Sequence, residues 1–273
     1  MANHRRDELL IAITRCSHLD DARVNPSHPC TAIVGVQEGD TAKFQVPEPW
    51  SGHIECAPIL FVGSNPSISE DEVFPTSSWS EAKTKDFFQR RFDKDGCWAK
   101  RMPFNGVKYW TSARKRATEL LERTAVEGRY FALTEVVHCK SKREQGVKDA
   151  LPACIQRWFD KVLSQSAARV IVLFGAHARD ACTKHWNIDG GRSVHFDVAI
   201  GGRSRAVVIL PHPGAFVPKT LDACTSAEER RRLRAILREG QKCPLRGSLR
   251  RWLIWGLLVA GIWSPFGLSL YRG

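Results

Sequence analysis

The sequence predicts an α/β protein: a three-layer α/β/α sandwich around a central, mainly parallel sheet. Two observations lead there. Short apolar runs rich in β-branched and aromatic residues recur at 59–62, 130–134, 170–174 and 206–210. Each is strand-sized and apolar throughout, as in strands buried on both faces. Segments of helical period separate them, the alternation that builds a covered parallel sheet.

In chain order, residues 7–15 (DELLIAITR) predict a short amphipathic helix running into Cys16. Residues 17–30 are polar and turn-rich, and 31–36 read as a strand. Residues 37–58 read as irregular, with Pro47, Pro49 and Gly52. The run 59–67 (ILFVGSNPS) is the organising stretch, a buried strand broken at its carboxyl end by turn residues. A basic, aromatic section follows, with Phe87, Phe88, Arg90, Arg91, Phe92, Trp98, Phe104, Tyr109 and Trp110, and 111–125 reads as a helix. Strand 130–134 ends in Glu135-Val136-Val137-His138-Cys139, and a Lys/Arg/Gly loop spans 140–148. Helix 149–165 carries Ile155, Trp158, Phe159, Val162 and Leu163 at helical spacing. Then come strand 170–174, a helix over 176–186, a weak strand at 194–200, and strand 206–210 ending in Pro211-His212-Pro213-Gly214.

Residues 1–225 are expected to form the α/β domain and 226–273 a basic helix with an apolar tail. The tail's uninterrupted apolar run, 252–263, is shorter than the roughly 20 residues a spanning helix needs. It is expected to be a packed helix or an interfacial anchor rather than a span.

The chain of 273 residues carries 41 Lys and Arg against 29 Asp and Glu, a net +12. That excess suits a polyanionic partner, nucleic acid before an anionic membrane surface, though solubility charge alone would also give it. Nine cysteines and no apolar export run behind Met1 argue against a secreted disulfide scaffold. The expected location is cytoplasmic, associated with the nucleoid.

Three strand ends carry polar residues: Asn65, Glu135 and His212. In a parallel sheet such ends line one edge, where ligands bind. Pro66 stiffens the turn beside Asn65. Each motif alone is also what an ordinary turn uses.

In order and spacing these segments resemble the uracil-DNA glycosylase superfamily over roughly residues 10–220. Gly63-Ser64-Asn65-Pro66-Ser67 looks like its first signature motif, in the Asn-Pro form. Glu70-Asp71 followed by Phe74 looks like the continuation that places a stacking phenylalanine. Thr134 to Cys139, the basic loop and Cys154 look like the middle segment of the iron–sulfur-containing branches. Residues 170–175 look like the strand after it, and His212-Pro213-Gly214 like the second motif. The resemblance implies hydrolysis of the N-glycosidic bond of a deaminated or modified DNA base such as uracil, with water the only cosubstrate. It implies that Asn65 positions the water, that His212 hydrogen-bonds the leaving base, and that Gly63, Ser64, Phe74 and Glu135 hold the base. Gly214-Ala215-Phe216-Val217-Pro218 would wedge apolar groups into the gap left by the extruded nucleotide.

Two departures stand out. The iron–sulfur branches carry Asn, or else a small residue, where this chain has Glu135. An ionised Glu135 only accepts hydrogen bonds and repels a base carbonyl, whereas a protonated one donates. Cys139 and Cys154 match two cluster ligands of those branches and Cys16 a third. The expected partner of Cys16 is replaced by Ile13, with Cys30 the nearest substitute. These four thiolates would hold a [4Fe–4S] cluster; the residues alone equally fit four buried thiols. The expected protein is a monomer acting on DNA without membrane contact. A non-catalytic nucleic-acid-binding protein on the same fold is the alternative, and a protein associated with membrane through 252–268 a third.

Overall fold

A computed structural model describes residues 2–37, 39–40, 42–68, 73–92 and 108–239. The Glu70–Asp71 step, Trp98, Phe104, and everything after residue 239, including the apolar run 252–268, lie outside the described residues.

The sheet has five strands: β1 (Ile59–Gly63), β2 (Phe131–Glu135), β3 (Val170–Phe174), β4 (Val194–Ile200) and β5 (Arg203–Leu210). Their order is β2-β1-β3-β5-β4. The first four in that order are mutually parallel, and only β4 runs antiparallel, against β5. The mainly parallel α/β sheet expected from the strand pattern is what the chain forms.

The continuous apolar runs follow from two covered faces. Side chains alternate along a strand. Leu60 and Val62 of β1, Ile171 and Leu173 of β3 and Val207 of β5 enter one core. Ile59 and Phe61, Val170, Val172 and Phe174, and Ala206, Val208 and Leu210 enter the other. In the second core the Phe61 ring stacks on Phe174 at 5.1 Å and meets Phe131 edge-on at 5.5 Å.

On the first face lie α1 (Ala2–Thr14), α2 (His18–Val24), α3 (Thr31–Val34), α4 (Glu81–Arg90), α6 (Val147–Cys154), a π turn (Ile155–Phe159), α7 (Asp160–Gln165) and α8 (Ala176–Trp186). On the second lie α5 (Lys108–Leu121), α9 (Leu221–Cys224) and α10 (Ala227–Glu239). Leu233 and Leu237 of α10 are buried in the second core.

The expected strand at 31–36 is instead helix α3. Four residues rich in β-branched side chains fit either structure, so tertiary contacts decide. The Thr31 hydroxyl bonds the carbonyls of Ala22 and Asn25, and Ile33 and Val34 turn into the core. The turn-rich 17–30 contains α2, and the basic aromatic section contains α4, whose Ser80 cap accepts from Lys83 N–H. Phe87 and Phe88 of α4 are fully buried, so these aromatics are core.

Candidate functional site

The sheet order places the first motif and its partners on one edge. Gly63 pairs with Glu135, Val62 with Leu173, and Phe174 with Leu210. The four parallel strands therefore end together, leaving the Ser64–Asn65 turn, Glu135 and the His212 turn along a common rim. β3 lies between β1 and β5, so the strands that carry Asn65 and His212 are two spacings, roughly 10 Å, apart.

Asn65 is half-buried, and its Nδ2 donates to the Pro66 carbonyl at 3.0 Å. That bond fixes the amide plane and leaves Oδ1 as an acceptor. His212 is exposed, and its Nδ1 accepts from Gly214 N–H at 3.1 Å. In the neutral ring the proton then sits on Nε2, which is the donor. Gly175, at φ +88°, ends β3 beside this ring; a Cβ there would stand 3.2 Å from His212 Cβ.

Glu135 is 7% exposed, and its Oε2 accepts from Gly63 N–H at 2.8 Å. The contact requires glycine, since a Cβ at Gly63 would come within 2.3 Å of Glu135 Oε2 and 2.6 Å of the Tyr109 hydroxyl. A second buried carboxylate, Glu48, lies behind. It bonds Arg91 at 2.6 Å and the Ser51 hydroxyl at 2.7 Å. Burial alone would raise the Glu48 carboxyl, but Arg91, with help from Lys140 and Ser51, holds it below the usual range. Among the described residues Glu135 has no salt bridge, and Arg91 only partly offsets what raises its value. Burial, then the neighbouring Glu48 charge, pushes it well above the ordinary carboxylate value. Of the two, the surroundings favour the charged form of Glu48 and the neutral form of Glu135.

Phe74 is 4% exposed. Phe87 and Phe88 pack edge-on against it, and the Lys140 ammonium lies 3.4 Å from its ring centroid. In this arrangement Phe74 is part of the aromatic core rather than an open platform for a base. Phe216 is the reverse, fully exposed, with Val217 half-exposed beside it. The turn after His212 thus projects an apolar tip.

Two residues that sequence reasoning did not single out join the rim. The Tyr109 hydroxyl is buried without a hydrogen-bond partner among the described residues, next to Gly63 and Glu135. Glu144, from the basic loop, accepts from the Ser64 hydroxyl at 2.5 Å, and its other oxygen stands 3.4 Å from His177 Nε2. No local pattern marks either one. Only strand order brings a helix and a distant loop to the motif.

Cys16, Cys30, Cys139 and Cys154 are all buried and all line one small, largely apolar cavity, with Ile13 and His18 also on its wall. Burial pushes the Cys154 thiol up to about 12 and Cys30 up to about 11, and Cys139 well above its ordinary value. Among the described residues no group of three or more His, Cys, Asp or Glu is arranged to hold a single metal ion. Cys16, Cys30, Cys139 and Cys154 are the thiols that could ligate an iron–sulfur group at this cavity.

The family described as Uracil DNA glycosylase superfamily matches residues 50–237. No curated protein matches the chain. Among the described residues no helix is long and apolar enough to cross a membrane.

Proposed function

Because the chain belongs to the uracil-DNA glycosylase superfamily, we propose that it hydrolyses the N-glycosidic bond of a deaminated base in DNA, releasing the free base and leaving an abasic site. The sheet order is the observation that carries this reading. It sets an amide acceptor, Asn65 Oδ1, and an imidazole donor, His212 Nε2–H, on one rim with a single strand between their own.

The chemistry follows from charge. Breaking the bond develops cationic, oxocarbenium-like character on the sugar and negative charge on the leaving base. His212 Nε2–H donates to the base carbonyl oxygen as that charge grows, a gain realised mainly in the transition state. Asn65 Oδ1 holds the water that attacks C1′; an amide orients the water rather than deprotonating it.

Glu135 supplies the selection. With Oε2 accepting from Gly63, a proton on this carboxyl sits on Oε1 and makes it a donor, the form that the raised value favours. Deamination replaces an exocyclic amino group with a carbonyl oxygen. That donor matches uracil O4 or hypoxanthine O6 and opposes the amino groups of cytosine and adenine. Exposed Arg143 and Lys148 grip backbone phosphate, and Phe216 fills the stack that the extruded nucleotide leaves.

Within the superfamily we place the chain nearest the iron–sulfur branches with an Asn-Pro first motif. Cys16, Cys30, Cys139 and Cys154 would hold a [4Fe–4S] cluster. When bound it supplies four iron–thiolate links that tie the N-terminal helices to the segment after β2.

A second reading, a nucleic-acid-binding protein that kept the fold without the reaction, is favoured by the enclosed ring of Phe74. The test is an abasic-site cleavage assay on oligonucleotides bearing uracil, hypoxanthine or xanthine. Release of base by the wild-type chain supports the enzyme. Binding without abasic product, unchanged in Asn65→Ala and His212→Ala, supports the second reading.

A further inference from the structure

The first motif carries no carboxylate of its own, yet besides Glu135 at Gly63 a second one reaches it from elsewhere in the chain. Glu144 accepts the Ser64 hydroxyl proton in a 2.5 Å hydrogen bond, within the range of charge-assisted O–H···O⁻ contacts. A hydroxyl has one proton to give. Ser64 Oγ also stands 3.5 Å from Asn65 Oδ1, so committing the proton to Glu144 keeps it off the asparagine. Two acceptors are then free side by side, the Ser64 Oγ lone pairs and Asn65 Oδ1. A water that donates to both turns its own lone pair away from them.

The loop delivers this group at a backbone cost. Arg143 and Glu144 both adopt left-handed backbone, at φ 53° and 59°, which costs a non-glycine residue about 1 kcal/mol or more. His177, at the start of α8, faces the other Glu144 oxygen at 3.4 Å and limits its swing. At the surface that contact contributes little stability.

We propose that Glu144 is a positioning residue for the nucleophilic water. It orients Ser64 and frees Asn65, and its charge lies on the rim where the sugar becomes cationic. This rests on the glycosylase reading above. It also links the basic loop to the chemistry, because the loop that carries Arg143 toward phosphate carries Glu144 toward the motif.

The experiment measures single-turnover base release from a uracil-, hypoxanthine- or xanthine-bearing strand by wild type, Glu144→Ala, Ser64→Ala, the double variant and Glu144→Gln. Affinity for the same strand is measured beside each rate. Loss of orientation predicts that each alanine variant slows release about 10²-fold with affinity unchanged. The double variant is then no slower than the slower single, because both act on one water. Glu144→Gln, whose amide oxygen still accepts from Ser64, recovers most of the rate. Release by Glu144→Ala at the wild-type rate overturns the proposal. So do losses that multiply in the double variant, or a loss confined to affinity. A wild-type chain that releases none of these bases overturns the glycosylase reading and this proposal together. Wild-type release that Glu144→Ala leaves intact overturns this proposal alone.

Discussion

The Gly63 N–H donates to Glu135 Oε2 at 2.8 Å, joining the ends of two neighbouring parallel strands through a buried side chain. The bond settles which carboxyl oxygen remains for a ligand. The environment favours its neutral form: burial first, then the Glu48 charge, raises the carboxyl well above its ordinary value.

A pH dependence follows. If the neutral carboxyl reads the base, release of uracil falls as pH rises through the raised Glu135 value. Glu135→Gln, with an amide N–H as donor, keeps its activity and loses that limb. Stability moves the same way. The folded chain holds the proton more tightly than the unfolded one, so the Glu135 contribution is full below the unfolded value of about 4.3. It is lost as pH rises toward the folded value. Denaturation midpoints of wild type and Glu135→Gln across pH check this.

Glu48 and Arg91 behave oppositely. The pair is buried, with a 2.6 Å contact. Arg91→Ala removes the guanidinium that offsets the burial of Glu48, at a cost of about 3–5 kcal/mol. The Glu48 carboxyl lies below its ordinary value when folded, so its contribution is present above about pH 4.3 and lost as pH falls through the folded value. Urea unfolding at neutral and acid pH measures both effects, and an Arg91→Ala midpoint equal to wild type contradicts them.

The exposed Phe216 tip predicts a duplex-specific defect. Phe216→Ala should slow base release from double-stranded DNA by roughly tenfold, about 1.4 kcal/mol of lost insertion between base steps. On single strands, where no stack must be opened, the rate should hold. Equal losses on both substrates would remove Phe216 from the role of wedge.

Protein purified without oxygen should be brown and carry about four irons per chain. Cys139→Ser and Cys154→Ser should lose colour and iron, and Cys30→Ser should lose them as well. A colourless wild-type protein, with iron absent after reconstitution, leaves four buried thiols.

The strands were legible because each buried run is both apolar and short, and their polar ends were legible because motif and strand coincide. Asn65, Glu135 and His212 thus share an edge as strand order requires. What escaped depends on contacts between distant segments. Thr31 and Ile33 suit a strand locally, yet hydrogen bonds to α2 and its neighbouring turn, together with core packing, draw them into helix α3. Phe74 could be assigned to a platform from its place in the motif. Its burial against Phe87 and Lys140 depends on where α4 and the loop after β2 come to rest. Glu144 and Tyr109 sit in unremarkable local sequence and gain meaning only beside Gly63 and Ser64.

The proposed enzyme breaks a glycosidic bond at one rim of this sheet. The most direct measurement of that reaction is the appearance of abasic sites in a uracil-bearing oligonucleotide treated with wild type, Asn65→Ala and His212→Ala at equal concentration. Wild type should release the base, and each variant should lose about 10²-fold or more of that rate. Oligonucleotide bound by all three with no abasic product from any would contradict this.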